Sequence, residues 1–177
     1  MSDATFGIII FGASGSGKTT LVNRLITNSS LANRAKTIGT DFYVKAFSLG
    51  KKNIKLYIWD FGNEKRFKFL LPTYLHSARG GIFMYDITNY FSLAHIDDWL
   101  SIIRKEKGAH HSFPIILVGG KADLVDEREV SAQEGKSIAK SRDIDGFIEC
   151  SSKTGENVEK TFKALTWLMM LVKDLKI

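Results

Sequence analysis

The sequence predicts an α/β domain: six strands in a mostly parallel sheet, one antiparallel edge strand, and helices on both faces. Three observations predict it. Short isoleucine- and valine-rich runs alternate with longer amphipathic ones along the whole chain. A glycine-rich turn joins the first apolar run to the first amphipathic one. A single tight turn around Gly50 joins two neighbouring strands, which must therefore be antiparallel. With 177 residues, the chain reads as one domain spanning 1–177.

The elements follow in order. Thr5–Phe11 is short, apolar and rich in isoleucine, as a buried strand requires, and Leu21, Val22, Leu25 and Ile26 mark the inner side of the helix after it. Asp41–Leu49 and Asn53–Asp60 form the hairpin. Gly81–Asp86 and Phe113–Gly119 are strands separated by a helix over Ser92–Lys107. Ser131 is the expected N-cap of a further helix. Gly146–Cys150 is the last strand, and Val158–Leu175 the last helix. On that helix Val158, Phe162, Leu165, Met169 and Val172 have core spacing, which leaves Trp167, Met170 and Leu171 for local packing or for a partner or membrane surface. Right-handed strand–helix–strand crossovers then put the ligand beyond the carboxyl ends of the strands.

Composition narrows the class without choosing a function. The chain is 44% apolar and 25% charged, ordinary for a globular protein. One cysteine, Cys150, excludes an internal disulfide, suits a reducing cytoplasm and is expected to be inert. No apolar run reaches the length of a membrane span, and no secretion signal opens the chain. The net charge of +6 is spread in short clusters such as Lys51–Lys52 and Arg104–Lys105, the pattern of a solvated surface, so no nucleic-acid partner is expected.

Gly12-Ala13-Ser14-Gly15-Ser16-Gly17-Lys18-Thr19 matches G-x-x-x-x-G-K-[ST] in full, between a strand and a helix. This is the loop of a P-loop NTPase. Its glycines let backbone N–H groups wrap a phosphate chain, and the helix N-terminus faces the same anion. Lys18 sets a positive charge against the β- and γ-phosphates, and the Thr19 hydroxyl can ligate magnesium. Gly12, Ser14, Gly15, Ser16, Gly17, Lys18, Thr19 and Thr20 are the expected phosphate-binding residues.

Further motifs follow at ordered spacing: Thr37-Ile38-Gly39-Thr40-Asp41-Phe42, Trp59-Asp60-Phe61-Gly62-Asn63-Glu64-Lys65-Arg66-Phe67, Tyr85-Asp86-Ile87-Thr88, Gly120-Lys121-Ala122-Asp123 and Cys150-Ser151-Ser152-Lys153. Over residues 5–172 the chain resembles the small GTPases of the Ras superfamily, and the Rab branch most of all. The resemblance implies GTP and GDP as ligands with Mg2+. Thr37 would reach the magnesium ion with Thr19 when the γ-phosphate is present, and Asp60 would hold it through water. Asp123 would accept from the guanine N–H and amino group, Lys121 would pack over the base, and the Ser152 backbone would meet the guanine carbonyl, with Ser151 and Lys153 beside it. Phe42, Trp59 and Tyr74 match an aromatic triad shown to effectors through residues 28–77, although strand aromatics also serve cores. Exchange factors and activating proteins are the other partners implied. Asp60 and Asp123 retain the alternative of plain loop carboxylates.

The chain departs from that pattern in four places. Asn63 stands at the family glycine whose N–H meets the γ-phosphate, and asparagine tolerates the left-handed region. Glu64 stands at the water-positioning glutamine; with Lys18 and Thr37 it completes the expected catalytic set, unless it is only a solvated switch residue. Gly120 replaces the asparagine of N-K-x-D, and Ser30 an aromatic stacked on the base. The last two losses, at about 1–2 kcal/mol each, imply roughly ten- to thousandfold weaker nucleotide binding than a typical relative.

The expectation is a cytoplasmic, monomeric, Rab-like GTPase with slow hydrolysis, switching over residues 28–40 and 61–77. No lipid anchor is read in these residues: the second residue is serine, and the cysteine lies far from the C-terminus. A non-hydrolysing GTP-bound scaffold and a weakly selective P-loop protein stand as alternatives.

Overall fold

The structure, a computed structural model, describes residues 2–28, 40–62, 69–108 and 113–173. Ile8, Ile9, Ile10 and Phe11 are apolar on both sides of their strand, the pattern of a strand covered on two faces. All four are fully buried in β1 (Ala4–Gly12). The other strands are β2 (Thr40–Leu49), β3 (Lys52–Phe61), β4 (Ala78–Asp86), β5 (Ile115–Gly120) and β6 (Gly146–Glu149). They form one six-stranded sheet in the order β2-β3-β1-β4-β5-β6. β2 pairs antiparallel with β3, from Thr40 opposite Phe61 to Leu49 opposite Lys52, and every other pairing is parallel. The expected fold class is the observed one.

Alternation along the strands divides the core in two. Ile8, Ile10, Ile82 and Ile116 point to one face, where α1 (Lys18–Thr27) brings Leu21 and Leu25 and α5 (Val158–Val172) brings Phe162 and Leu165. Ile9, Phe11, Phe83 and Leu117 point to the other. There α2 (Leu71–Leu75), α3 (Ile96–Lys107) and α4 (Ala132–Ser141) contribute Leu75, Trp99, Ile103 and Ala139. Ser131 caps α4 in a reciprocal capping box: its hydroxyl accepts from Glu134 N–H at 3.2 Å, and the Glu134 carboxylate accepts from Ser131 N–H at 2.8 Å.

Strand ends differ from expectation by up to three residues, β4 beginning at Ala78, and other departures have a clear cause. The stretch Ser92–Lys107 is not one helix; a 3₁₀ turn at Tyr90–Leu93 precedes α3. Buried Ser92 causes the break, accepting from Asp86 N–H at 2.9 Å and donating to the Asn89 carbonyl at 2.6 Å, which ties the turn to β4. β5 starts at Ile115 because Pro114 has no N–H to donate, although its carbonyl accepts from Gly81 N–H at 3.0 Å. On α5, Met170 is buried and Val172 is 50% exposed, the reverse of their expected places; Trp167 and Leu171 are exposed as expected. Among the described residues no helix is long and apolar enough to cross a membrane.

Candidate functional site

The carboxyl ends of β1, β3, β4, β5 and β6 deliver the motif segments to one edge of the sheet, as the crossover rule requires. β1 turns at Gly12, whose φ of +129° lies where L side chains are rare. A Cβ there would stand 2.1 Å from the Met84 carbonyl oxygen. The loop runs on to Gly17 at the N-cap of α1. Ser16 closes it, its hydroxyl donating to the Ala13 carbonyl at 2.8 Å, while Ser14 and Gly15 are exposed at its crown.

Lys18 is buried beneath this loop. Its Nζ donates to the Gly12 carbonyl at 3.1 Å and the Ala13 carbonyl at 2.7 Å. Burial lowers its pKa from 10.5 to about 8, with the Asp60 carboxylate pulling the other way. The next residue on α1, Thr19, donates its hydroxyl to Asp60 Oδ2, and Asp60 at the end of β3 is wholly buried. These neighbours are a hydroxyl and a carboxylate, hard oxygen donors beside a phosphate-binding loop. That donor set fits magnesium, which binds through few protein oxygens and completes its shell with phosphate and water. Among the described residues no group of three His, Cys, Asp or Glu could hold a metal alone.

Beyond the loop opens a cavity of about 230 Å³, lined by Ser16, Gly17 and Thr20 on one side and Lys121, Asp123 and Ser152 on the other. Met84 and Leu124 add apolar surface to it. The fully buried Ser151 donates its hydroxyl to Asp123 Oδ1 at 2.6 Å and accepts from Thr154 N–H at 3.1 Å, which fixes the carboxylate. Lys153 Nζ stands 3.9 Å from Asp123 Oδ2 and is largely exposed. Lys121 sits at φ +63° and pairs with Asp86 at the end of β4, whose Oδ1 also accepts from the Thr88 N–H and hydroxyl at 2.9 and 2.7 Å. Asp86 belongs to the motif at residues 85–88, but its pairing with Lys121, and the place of Met84, are visible only in the structure. The one signal in the sequence is that Ile82, Met84 and Asp86 alternate onto one face of β4 and run out to the ligand edge.

Thr37, Asn63 and Glu64, and Ser30 with them, lie outside the described residues. The aromatic residues do come together on the outer sheet face. Phe42 is 54% exposed, with ring centres 5.8 Å from Trp59 and 5.7 Å from Tyr57. Tyr74 lies 6.0 Å from Trp59 and edge-on to Phe61 at 5.0 Å. Trp59 and Tyr74 are half-buried against the second core, so the group both packs inward and shows one face outward. Cys150 is buried and its thiol is pushed up to about 12 by that burial, so it stays a neutral thiol near pH 7. A second cavity, about 280 Å³ and flanked by Arg24, Lys45 and Lys163, gathers none of the motif residues.

Comparison with known proteins points the same way as this geometry. Residues 7–170 match the model of the Ras family. The chain is 40% identical over 164 residues to a "Ras-related protein Rab-1" of Theileria annulata, an alignment covering 92% of this chain and 73% of that protein. The protein of the same name from Theileria parva is similar to the same degree and over the same share of each chain.

Proposed function

Because this chain belongs to the Ras family, as a Rab-like small GTPase that hydrolyses GTP to GDP and phosphate, we propose that it is a magnesium-dependent switch built at the carboxyl edge of its sheet. The observation that carries this is the complete phosphate loop with Lys18 buried behind it and Thr19 against Asp60. Backbone N–H groups from Gly12 to Thr20 cradle the β-phosphate, and Lys18 neutralises charge where it is already stripped of water. Thr19, Asp60 and, in the triphosphate state, Thr37 hold Mg2+, which offsets charge on the phosphates. The cavity takes guanine: Asp123 accepts from its N–H and amino group, Lys121 covers it, and Ser152 meets its carbonyl. Ser151 and Lys153 steady Asp123.

The γ-phosphate holds Thr37 and the Asn63 backbone, and its loss releases both segments. Effectors read that difference through residues 28–77, with Phe42, Trp59 and Tyr74 as the apolar contact. Turnover is slow without an activating protein, because Glu64 replaces the residue that would position water. An exchange factor speeds GDP release. The domain spans 1–177, acts as a monomer and works in the cytoplasm; the family match over 7–170 supports the single domain.

The test is to purify the protein, denature it and identify the released nucleotide by chromatography. Single turnover of bound GTP is then followed with and without excess EDTA. The expected result is GDP in the site and phosphate release over minutes to hours that EDTA alters. Adenine nucleotide in the site would end the guanine reading. GTP unchanged after hours in magnesium would sink the hydrolysing switch and favour a non-hydrolysing GTP-bound scaffold.

A further inference from the structure

Where the resemblance leads one to expect an asparagine, this chain has Gly120, and the structure shows what stands in the vacated space. Met84, buried at 1% exposure, sends its side chain from β4 toward the junction of the phosphate loop and the end of β5. A Cβ at Gly120 would lie 2.4 Å from Met84 Cε and 2.9 Å from the Ser16 carbonyl oxygen. A Cβ at Gly17 would lie 3.4 Å from the same methyl. One thioether therefore reaches both segments, and it also lines the cavity that holds Lys121 and Asp123.

We propose that Met84 is a base-contacting residue of the nucleotide site, and that its methyl and Gly120 form a coupled pair. The methyl occupies the room a side chain at 120 would need, and it presents a polarisable apolar surface to the edge of the purine. Apolar contact of this kind has no donor–acceptor preference. Met84 thus adds affinity for any purine, while the choice of guanine is left to the Asp123 carboxylate. The inference rests on the guanine reading above.

A double-mutant cycle on the full chain tests it, with Kd for GDP and ADP measured by fluorescent-nucleotide displacement and the melting temperature of the nucleotide-free protein recorded alongside. Met84→Ala is expected to weaken GDP and ADP by the same factor, about three- to tenfold. Gly120→Asn is expected to weaken GDP about tenfold or more, because the new Cβ meets the methyl. The double variant is expected to bind GDP at least as well as the Met84→Ala protein, since with the methyl gone only the Ser16 carbonyl, 2.9 Å from the new Cβ, has to shift. If Gly120→Asn does not fold, Met84→Ala and the double variant decide the matter: Gly120→Asn must not weaken GDP in the Met84→Ala background. Additive effects, tighter binding by Gly120→Asn alone, or a Met84→Ala effect confined to melting temperature would each overturn the proposal. A wild-type protein that binds ADP as well as GDP would instead sink the guanine reading alone, since a base-neutral contact by Met84 is the same for either purine.

Discussion

The two ends of the nucleotide cavity are built on different principles. At the proposed phosphate end, recognition would be carried by backbone: a strand, a turn allowed by glycine, and a helix, with Lys18 held by loop carbonyls. At the proposed base end it would be carried by side chains, where Asp123 is set by Ser151 and Lys121 by Asp86. The phosphate end keeps its whole motif, whereas the proposed base end has Gly120 where the resemblance implies an asparagine, with the Met84 methyl against it. A backbone cradle fails if one glycine changes, because its geometry has no substitute. A side-chain site can trade one contact for another and remain a site.

The largest expected effect tests the rigid end. Gly12→Ala must place a Cβ 2.1 Å from the Met84 carbonyl oxygen at φ +129°. The cost is expected to exceed about 3 kcal/mol. Chemical denaturation should show a protein that is mostly unfolded or shifted to a much lower midpoint. An unfolding free energy within about 1 kcal/mol of the wild type would mean that the loop can rearrange, and the contrast between the two ends would weaken.

Next comes Lys18→Met, which keeps the length of the side chain and removes its charge. Loss of charge-assisted bonds to phosphate is expected to weaken GDP by about a hundredfold or more, with the fold retained. The same residue sets a pH dependence. In the nucleotide-free protein its pKa is about 8 against an ordinary 10.5, so the unfolded chain holds more protons between those values. The burial cost is therefore fully present below about pH 8 and is relieved as pH rises toward 10.5, so this group makes the free protein more stable across that window. Nucleotide binding runs the other way. Phosphate favours charged Lys18, so GDP affinity should fall above about pH 8, by at most about tenfold per pH unit. Isothermal titration in buffers of different ionisation enthalpy should register proton uptake near pH 9 in the wild type and none through this group in Lys18→Met.

How much of this contrast was legible beforehand follows from the range of each signal. The phosphate loop occupies consecutive residues between a strand and a helix, so motif and context could be read together. The β2–β3 hairpin and the Ser131 cap are local in the same way. Met84 against Gly120 and Asp86 against Lys121 join positions far apart in the chain, and only the β4–β5 pairing brings them face to face. On α5, neighbouring residues compete for the edge of the buried stripe, and the local sheet surface took Met170 over Val172. Ser92 looked like a helix start by composition, but its hydroxyl was bound to β4, a contact that periodicity does not carry.

At the base end, Asp123→Ala is expected to reduce the preference for GDP over ADP by about ten- to a hundredfold, the worth of hydrogen bonds to a charged acceptor. Competition against a labelled nucleotide measures it. Affinity for the diphosphate should persist through the loop, which separates the two ends directly. An unchanged ratio would mean that the base is chosen elsewhere in the cavity.

The smallest expected effect is at Asp86. Its pair with Lys121 is partly open to solvent, with the lysine 38% exposed, so the attraction is screened and worth at most about 1 kcal/mol. Asp86→Asn keeps an oxygen for the Thr88 N–H and hydroxyl but gives Lys121 an uncharged neighbour. Lys121 then samples more positions before it covers the base, and GDP should bind about two- to fivefold more weakly, chiefly through faster release. Stopped-flow dissociation of a fluorescent GDP resolves a change of that size. A tenfold or greater effect would mean that the base end depends on one fixed arrangement as tightly as the phosphate end does. The division between a backbone cradle and an adjustable side-chain site would then fail at the point where it was expected to be softest.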